Sequence, residues 1–249
     1  MIETQKPIIL AAGGTGGHLY PAEALAKELL NCGRKVIIIT DKRGAAFQKL
    51  GERVHMDCVR AATFKPGLPR KIIASVHIVI GIIQAWRLLK KYRPALVVGF
   101  GGYPSFPSVF AAQRMGISTV LHEQNAILGK ANFWLADDAA AIAASQPETQ
   151  LISTHNRKKV TVTGNPVRAD ICAQRQTVYP ALTGDFNILI TGGSQGARVF
   201  STVVPDAAGK MPKDVRPRLN ITHQCPAADV EAVTAKYRQA GVRAEVNPF

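Results

Sequence analysis

Short, almost uninterrupted apolar runs recur along the chain, each closed by glycine or by polar residues: Ile8 to Ala12, Lys35 to Thr40, Leu96 to Phe100, Ser118 to His122 and Asn187 to Thr191. Runs of this length, rich in Ile and Val, predict strands buried on both faces of a sheet. Between them lie helical patterns, beginning with the good helix formers Pro21 to Ala26 and continuing at Gly44 to Leu50, Ile72 to Tyr92, Ser105 to Met115 and Ala131 to Leu135. Past Ala197 the pattern gives one helix, a strand over Arg218 to Thr222, a helix near Ala228 to Ala240 and a strand over Val242 to Val246. Regular alternation of the two predicts an α/β fold, a parallel sheet with helices on both faces and ligands at the carboxyl ends of the strands.

The turns that follow three of the strands carry the chemistry. After the first come Gly13-Gly14-Thr15-Gly16-Gly17-His18, then a helix; Gly99-Phe100-Gly101-Gly102-Tyr103 follows the run at Leu96, and Gly192-Gly193-Ser194-Gln195-Gly196 the run at Asn187. Glycines let backbone N–H groups approach a ligand, and the next helix directs its positive end at the same place, so each turn is a candidate anion site, usually for phosphate. A plain tight βα turn needs fewer glycines. The first turn departs from the dinucleotide fingerprint, because Leu19 stands where a third glycine belongs, and Asp41 is a weak ribose-binding candidate. No Gly-Lys-Ser/Thr follows, which excludes a Walker A loop. His18 stands at a helix start, where a cation is disfavoured, and reads as a neutral base beside an anion site. Three anion sites exceed the needs of one nucleotide and suit two phosphorylated ligands facing each other across a cleft.

Three further stretches matter. His122-Glu123-Gln124-Asn125 places four polar side chains at a strand end; the bland reading is a loop cap with Asn125 as helix N-cap. Adjacent strand residues face opposite ways, so His122 and Glu123 do not share a pocket, and one of them orients the loop. Thr163-Gly164-Asn165-Pro166-Val167-Arg168 reads as a hinge, with Arg168 as a salt-bridge or phosphate partner. The apolar stretch Ile72 to Leu89 has the length of a membrane span, yet His77, Gln84 and Arg87 interrupt it and Gly81 weakens it. It reads as a crossover helix. With Arg70-Lys71 and Lys90-Lys91 at its ends and Trp86 near one of them, its outer face suits an anionic lipid surface.

The chain of 249 residues is 47% apolar, enough for one large core or two modest ones. Lys and Arg outnumber Asp and Glu by 31 to 17, a formal +14, which favours acidic partners without choosing among phosphates, nucleic acid and membrane. No aromatic-basic strand motif or helix-turn-helix supports nucleic acid. Cys32, Cys58, Cys172 and Cys225 are dispersed, which argues against structural zinc or a disulfide framework and for a reducing compartment. Glu3 and Lys6 precede a short strand, unlike a secretory signal.

Taken in order, GGTGGHLYPAEALA, GFGGYPSFP, HEQNAILGKAN, TGNPVR and ITGGSQGA resemble the MurG family over residue 6 to the end. These transferases move N-acetylglucosamine from UDP-N-acetylglucosamine onto undecaprenyl-pyrophosphoryl-MurNAc-pentapeptide (lipid I), forming lipid II for peptidoglycan. The resemblance implies a GT-B fold of two Rossmann-like domains, here residues 1–164 facing acceptor and membrane and an incomplete second domain over 165–249. It implies no cofactor and no metal, and a peripheral place on the cytoplasmic face of the bacterial inner membrane.

Carried over by position, Thr15, Gly16, Gly17, Asn125, Arg168 and Ser194 would contact UDP-N-acetylglucosamine. The loops holding Gly13, Gly14, Gly101 and Gly102 would face the acceptor diphosphate, and Gly193, Gln195 and Gly196 the UDP diphosphate. The implied reaction inverts the anomeric centre as the acceptor's 4-hydroxyl displaces UDP, with His18 as general base and Glu123 or His122 in support. The family extends roughly half a domain beyond Phe249, through its uracil pocket, so an inactive acceptor-lipid and membrane-binding module is the alternative reading. Phe133 stands where the family usually has a basic residue, and Cys225 where it usually has a small one.

Overall fold

A computed structural model describes residues 6–14, 16–44, 54–63, 66–178, 184–192 and 197–248. The chain divides into two compact units, Met1–Arg175 and Gln176–Phe249.

Among its described residues the first unit has seven parallel strands: β1 (Ile8–Ala11), β2 (Val36–Thr40), β3 (His55–Cys58), β4 (Leu96–Gly99), β5 (Thr119–Glu123), β6 (Ala141–Ala144) and β7 (Val160–Val162). Their order is β3-β2-β1-β4-β5-β6-β7, with Ile9 beside Ile37 on one side and Val97 on the other. The helices are α1 (Gly16–Asn31), α2 (Leu68–Tyr92), α3 (Gly102–Arg114), α4 (Lys130–Leu135), α5 (Thr154–Arg157) and α6 (Ala169–Ala173). Alternate strand residues face opposite cores. Ile9, Ile37, Ile39 and Leu121 pack with Ala85 and Leu89 of α2, Val109 of α3 and Leu135 of α4. Leu10, Ile38 and Val98 pack with Leu19, Ala22 and Ala26 of α1. This is a doubly wound sheet, and its strand order reverses between β1 and β4, where a crevice opens at the carboxyl ends.

The predicted strands at Lys35, Leu96, Ser118 and Asn187 are present within a residue or two. Strands β3, β6 and β7 carry no such signal, and the helix expected over Gly44 to Leu50 falls largely outside the described residues. Helix α2 begins at Leu68, four residues before the expected start, because Pro69 is tolerated in a first turn. It buries only Ala74, Gly81, Ala85 and Leu89. Gly81 is required rather than merely tolerated: a Cβ there would lie 1.9 Å from the Arg60 carbonyl oxygen. The opposite face carries Leu68, Ile72, Val76, Val79, Ile83 and Trp86, all exposed, with Leu68 at 73%.

Among its described residues the second unit has three parallel strands, β8 (Phe186–Ile190), β9 (Leu219–Cys225) and β10 (Arg243–Pro248), in the order β10-β9-β8, with helices α7 (Arg198–Lys210) and α8 (Val230–Gln239). Ile190, Leu219, Ile221, Val233 and Tyr237 form its core. The Tyr237 hydroxyl lies 2.9 Å from His223 Nδ1 inside that core. Burial pushes the tyrosine up to about 12 and holds His223 below the ordinary histidine value.

Candidate functional site

The crevice between β1 and β4 is where the first two glycine turns meet. Both follow directly from strand ends, since Ala12 N–H still donates to Ile39 O (3.1 Å) and Phe100 N–H to Ala11 O (2.9 Å) before the chain turns away. Gly13 admits no side chain: a Cβ would stand 2.8 Å from both Asp41 Oδ1 and Pro104 Cβ. Gly14 has φ +81°, which glycine adopts without strain.

Asp41, at the end of β2, is buried among these turns. Its Oδ1 accepts from Gly14 N–H (3.2 Å) and Gly44 N–H (3.0 Å), and its Oδ2 accepts from the Tyr103 hydroxyl (2.9 Å). Burial, then the neighbouring carboxylate, pushes the Tyr103 hydroxyl above its ordinary value, so it stays a donor. Asp41 therefore ties the turns after β1, β2 and β4 together, which occupies the oxygens that a ribose would need.

His18, the third residue of α1, joins the two glycine turns. Its Nδ1 lies 2.8 Å from the Phe100 carbonyl oxygen, and the side-chain amide of Gln124 lies 2.6 Å from the same nitrogen. Its Nε2 faces the second turn, where a Cβ on Gly102 would stand 3.0 Å away. Gly101 and Gly102 have φ +77° and +69°, so the turn needs glycine for its backbone as well as for the imidazole's room.

The end of β5 sends its two ionisable side chains to opposite faces, as strand geometry requires. His122 packs on the Phe100 ring, with centroids 5.3 Å apart. Burial lowers its affinity for a proton, opposed by the Gly164 backbone, Glu123 and Gln124. Glu123 is 1% exposed and accepts four hydrogen bonds. Its Oε1 takes Asn125 N–H (3.0 Å) and Asn125 Nδ2 (2.9 Å), while Oε2 takes Gly129 N–H (2.8 Å) and Asn132 Nδ2 (2.9 Å). The carboxylate thus fastens the polar loop to the start of α4. Gly129, not Asn125, is the N-cap of that helix.

Arg168 belongs to the same region. Its guanidinium lies over the Tyr20 ring of α1, 4.6 Å from the centroid, and 3.8 Å from Asp170. Tyr20 in turn packs against Gly16, where a Cβ would come within 2.7 Å of its ring. Gly13, Gly14, Gly16, Gly17, His18, Gly101, Gly102, His122, Glu123, Asn125 and Arg168 all belong to the first unit. Thr15, Gly193, Ser194, Gln195 and Gly196 lie outside the described residues. Sequence reasoning assigned no part to Gln124, Tyr103 or Asn132, although each lies inside a motif it singled out.

The glycosyltransferase family 28 N-terminal domain matches residues 8–144 and the family 28 C-terminal domain residues 187–249. A UDP-N-acetylglucosamine–N-acetylmuramyl-(pentapeptide) pyrophosphoryl-undecaprenol N-acetylglucosamine transferase of Rhodospirillum centenum is 48% identical over 99% of this chain and 65% of its own length. The transferase of the same name from Paramagnetospirillum magneticum is 43% identical over the whole chain and 68% of its own length. Among solved structures, Acinetobacter baumannii MurG superposes with TM-score 0.71 at 30% identity, over 98% of this chain and 66% of that one. The chain spans about two thirds of the length of these relatives, 65% of the first.

Proposed function

The chain belongs to glycosyltransferase family 28, and from that premise we propose that it serves the transfer of N-acetylglucosamine from UDP-N-acetylglucosamine to lipid I. The acceptor's 4-hydroxyl attacks the anomeric carbon, the bond to the UDP oxygen breaks, the configuration inverts and the hydroxyl proton passes to His18. The observation that carries this reading is the setting of His18. One ring nitrogen is engaged by the Phe100 carbonyl, and the other faces a glycine turn kept clear of side chains at the crevice where doubly wound sheets bind ligands.

In this reading the turns after β1 and β4 face the acceptor diphosphate, with Arg168 and Asn125 serving the sugar nucleotide. Glu123 acts as a positioning residue for the loop bearing Asn125, its oxygens being filled by loop donors. Ser194 serves the sugar nucleotide, and Gly193, Gln195 and Gly196 serve the leaving diphosphate. Residues 1–164 form the acceptor and membrane domain and 165–249 part of the donor domain. The exposed apolar face of α2, with Arg70, Lys71, Arg87, Lys90 and Lys91 around it, rests on the anionic cytoplasmic face of the inner membrane. Nucleic acid has no part.

A second reading, an acceptor-lipid and membrane-binding module without transfer, is favoured by the location of α2 and the first two glycine turns in one unit. One experiment separates the two. The chain and a full-length relative are each assayed with UDP-N-acetylglucosamine and a lipid I analogue, with and without His18→Ala. Transfer by the chain, abolished in the variant, supports the enzyme; lipid binding without transfer supports the module. Undiminished transfer by the variant in the full-length relative overturns the role of His18.

A further inference from the structure

His18 Nδ1 has two polar neighbours at hydrogen-bond distance, the Phe100 carbonyl oxygen at 2.8 Å and the Gln124 amide at 2.6 Å. A backbone carbonyl only accepts, so in the neutral ring Nδ1 must carry the proton. With that proton in place, an amide NH₂ directed at Nδ1 would set donor against donor. Only the amide oxygen satisfies the contact, and the hydrogen-bond network is what decides an amide's orientation. The far end of the amide is buried and has no partner as an oxygen. Reversed, it becomes an NH₂ that can serve His122, on which Gln124 acts electrostatically and whose two ring nitrogens are buried without a hydrogen-bond partner among the described residues. One reversal thus relieves an orphaned amide atom and an orphaned imidazole together.

We propose that Gln124 is a positioning residue for the base: its side-chain oxygen shares the His18 Nδ1–H with the Phe100 carbonyl, holding the ring in the tautomer whose Nε2 lone pair faces Gly102, while its NH₂ runs on to His122. The result is a file of polar groups, Phe100 O, His18, Gln124 and His122, in which the carbonyl and the amide oxygen together fix the His18 proton. An imidazole that kept the other tautomer would present a donor, not a lone pair, to the glycine turn and could take no proton there. The proposal rests on the reading of His18 as base only for its functional meaning; the tautomer itself is a property of the chain without substrate.

The test is long-range ¹H–¹⁵N spectroscopy on chain labelled at its six histidines, with His18 assigned by its loss in His18→Gln. In the unaltered chain His18 is expected in the Nδ1–H form. In Gln124→Leu the ratio of Nδ1–H to Nε2–H is expected to fall about fivefold, the worth of one ordinary hydrogen bond. Gln124→Glu, which keeps an acceptor beside Nδ1, is expected to retain the ratio. The unshifted resonances of His55, His77, His155 and His223 show that each variant is folded; if Gln124→Leu fails this check, Gln124→Met serves in its place. An Nε2–H form in the unaltered chain, or an unchanged ratio in Gln124→Leu, overturns the proposal. Loss of the base role alone would show differently, as undiminished transfer in His18→Ala with the tautomer ratios as expected.

Discussion

Replacing Glu123 by Gln tests how the polar loop is held. The carboxylate accepts two donors on each oxygen, and two of the four, Asn125 N–H and Gly129 N–H, are backbone groups that cannot reverse. Whichever way the new amide turns, its NH₂ meets one of these and a side-chain NH₂ as well. Two hydrogen bonds to a charged group are lost and the remaining two are weakened to neutral ones. At about 1.5–3 kcal/mol for each charge-assisted bond, with partial relaxation, the loop over residues 124–132 should be destabilised by about 3 kcal/mol. Local opening then becomes about 150-fold more frequent, at about 1.4 kcal/mol per tenfold. Native-state hydrogen exchange reads this directly, because the Asn125 and Gly129 amide protons are themselves the ones captured. Protection at these two amides should fall by that factor while the amides of β8 to β10, in the other unit, keep theirs. A fall of less than about threefold, within what a neutral exposed pair would give, would refute the account of Glu123 as the loop's anchor.

Gly102→Ala should lower the melting temperature by several degrees, since φ +69° costs a non-glycine residue about 1–2 kcal/mol. It should also abolish transfer in a full-length enzyme by crowding His18 Nε2. Gly116→Ala is the control: φ is +70° with nothing within 4 Å of its Cβ, so it should show the same strain with transfer intact. The second unit should lose stability at both ends of the pH scale. Tyr237 is raised to about 12, so its contribution is whole below about pH 10 and is lost as the pH rises toward 12. His223 is lowered, so its contribution is whole above about pH 6.5 and is lost as the pH falls below that. Thermal melts across pH should show both slopes, and Tyr237→Phe should flatten the alkaline one. Finally, Ile72→Glu with Ile83→Glu should reduce partitioning onto phosphatidylglycerol-containing vesicles about 100-fold or more, at about 1.5–3 kcal/mol per buried side chain. Circular dichroism should be unchanged, because both side chains are exposed.

The parts of the fold legible in the sequence are those where local pattern and global position agree. β1, β2 and β4 are apolar runs because they lie in the middle of a sheet covered on both faces, and their glycine turns mark the ends that face the crevice. β3, with the sequence His-Met-Asp-Cys, lies at the sheet edge and is half exposed, so no apolar run announces it. β6, Ala-Ile-Ala-Ala, has the composition of a helix, and its burial between β5 and β7 comes from neighbours distant in sequence. The site divides in the same way. That His122 and Glu123 must face apart follows from strand geometry. That Glu123 is the one fastening the loop depends on Gly129 and Asn132, which only the packing of α4 brings to it. Asp41 was legible as an acidic residue at a strand end, but its true partners, Gly14 and Tyr103, are 27 and 62 residues away.

Helix α2 is built inside out. Its inner side is limited to small residues where it crosses the Arg60 carbonyl, and any added carbon at Gly81 would lift the helix off the sheet. Its outer side carries the bulk and is exposed among the described residues. Tolerance to change is therefore uneven: one large aliphatic can replace another on the outside at little penalty, while Gly81 on the inside accepts no growth at all. The same asymmetry governs handling. At high concentration in plain buffer such a surface gathers its own copies, and a mild surfactant that shields the stripe should keep the protein monodisperse without loosening its core.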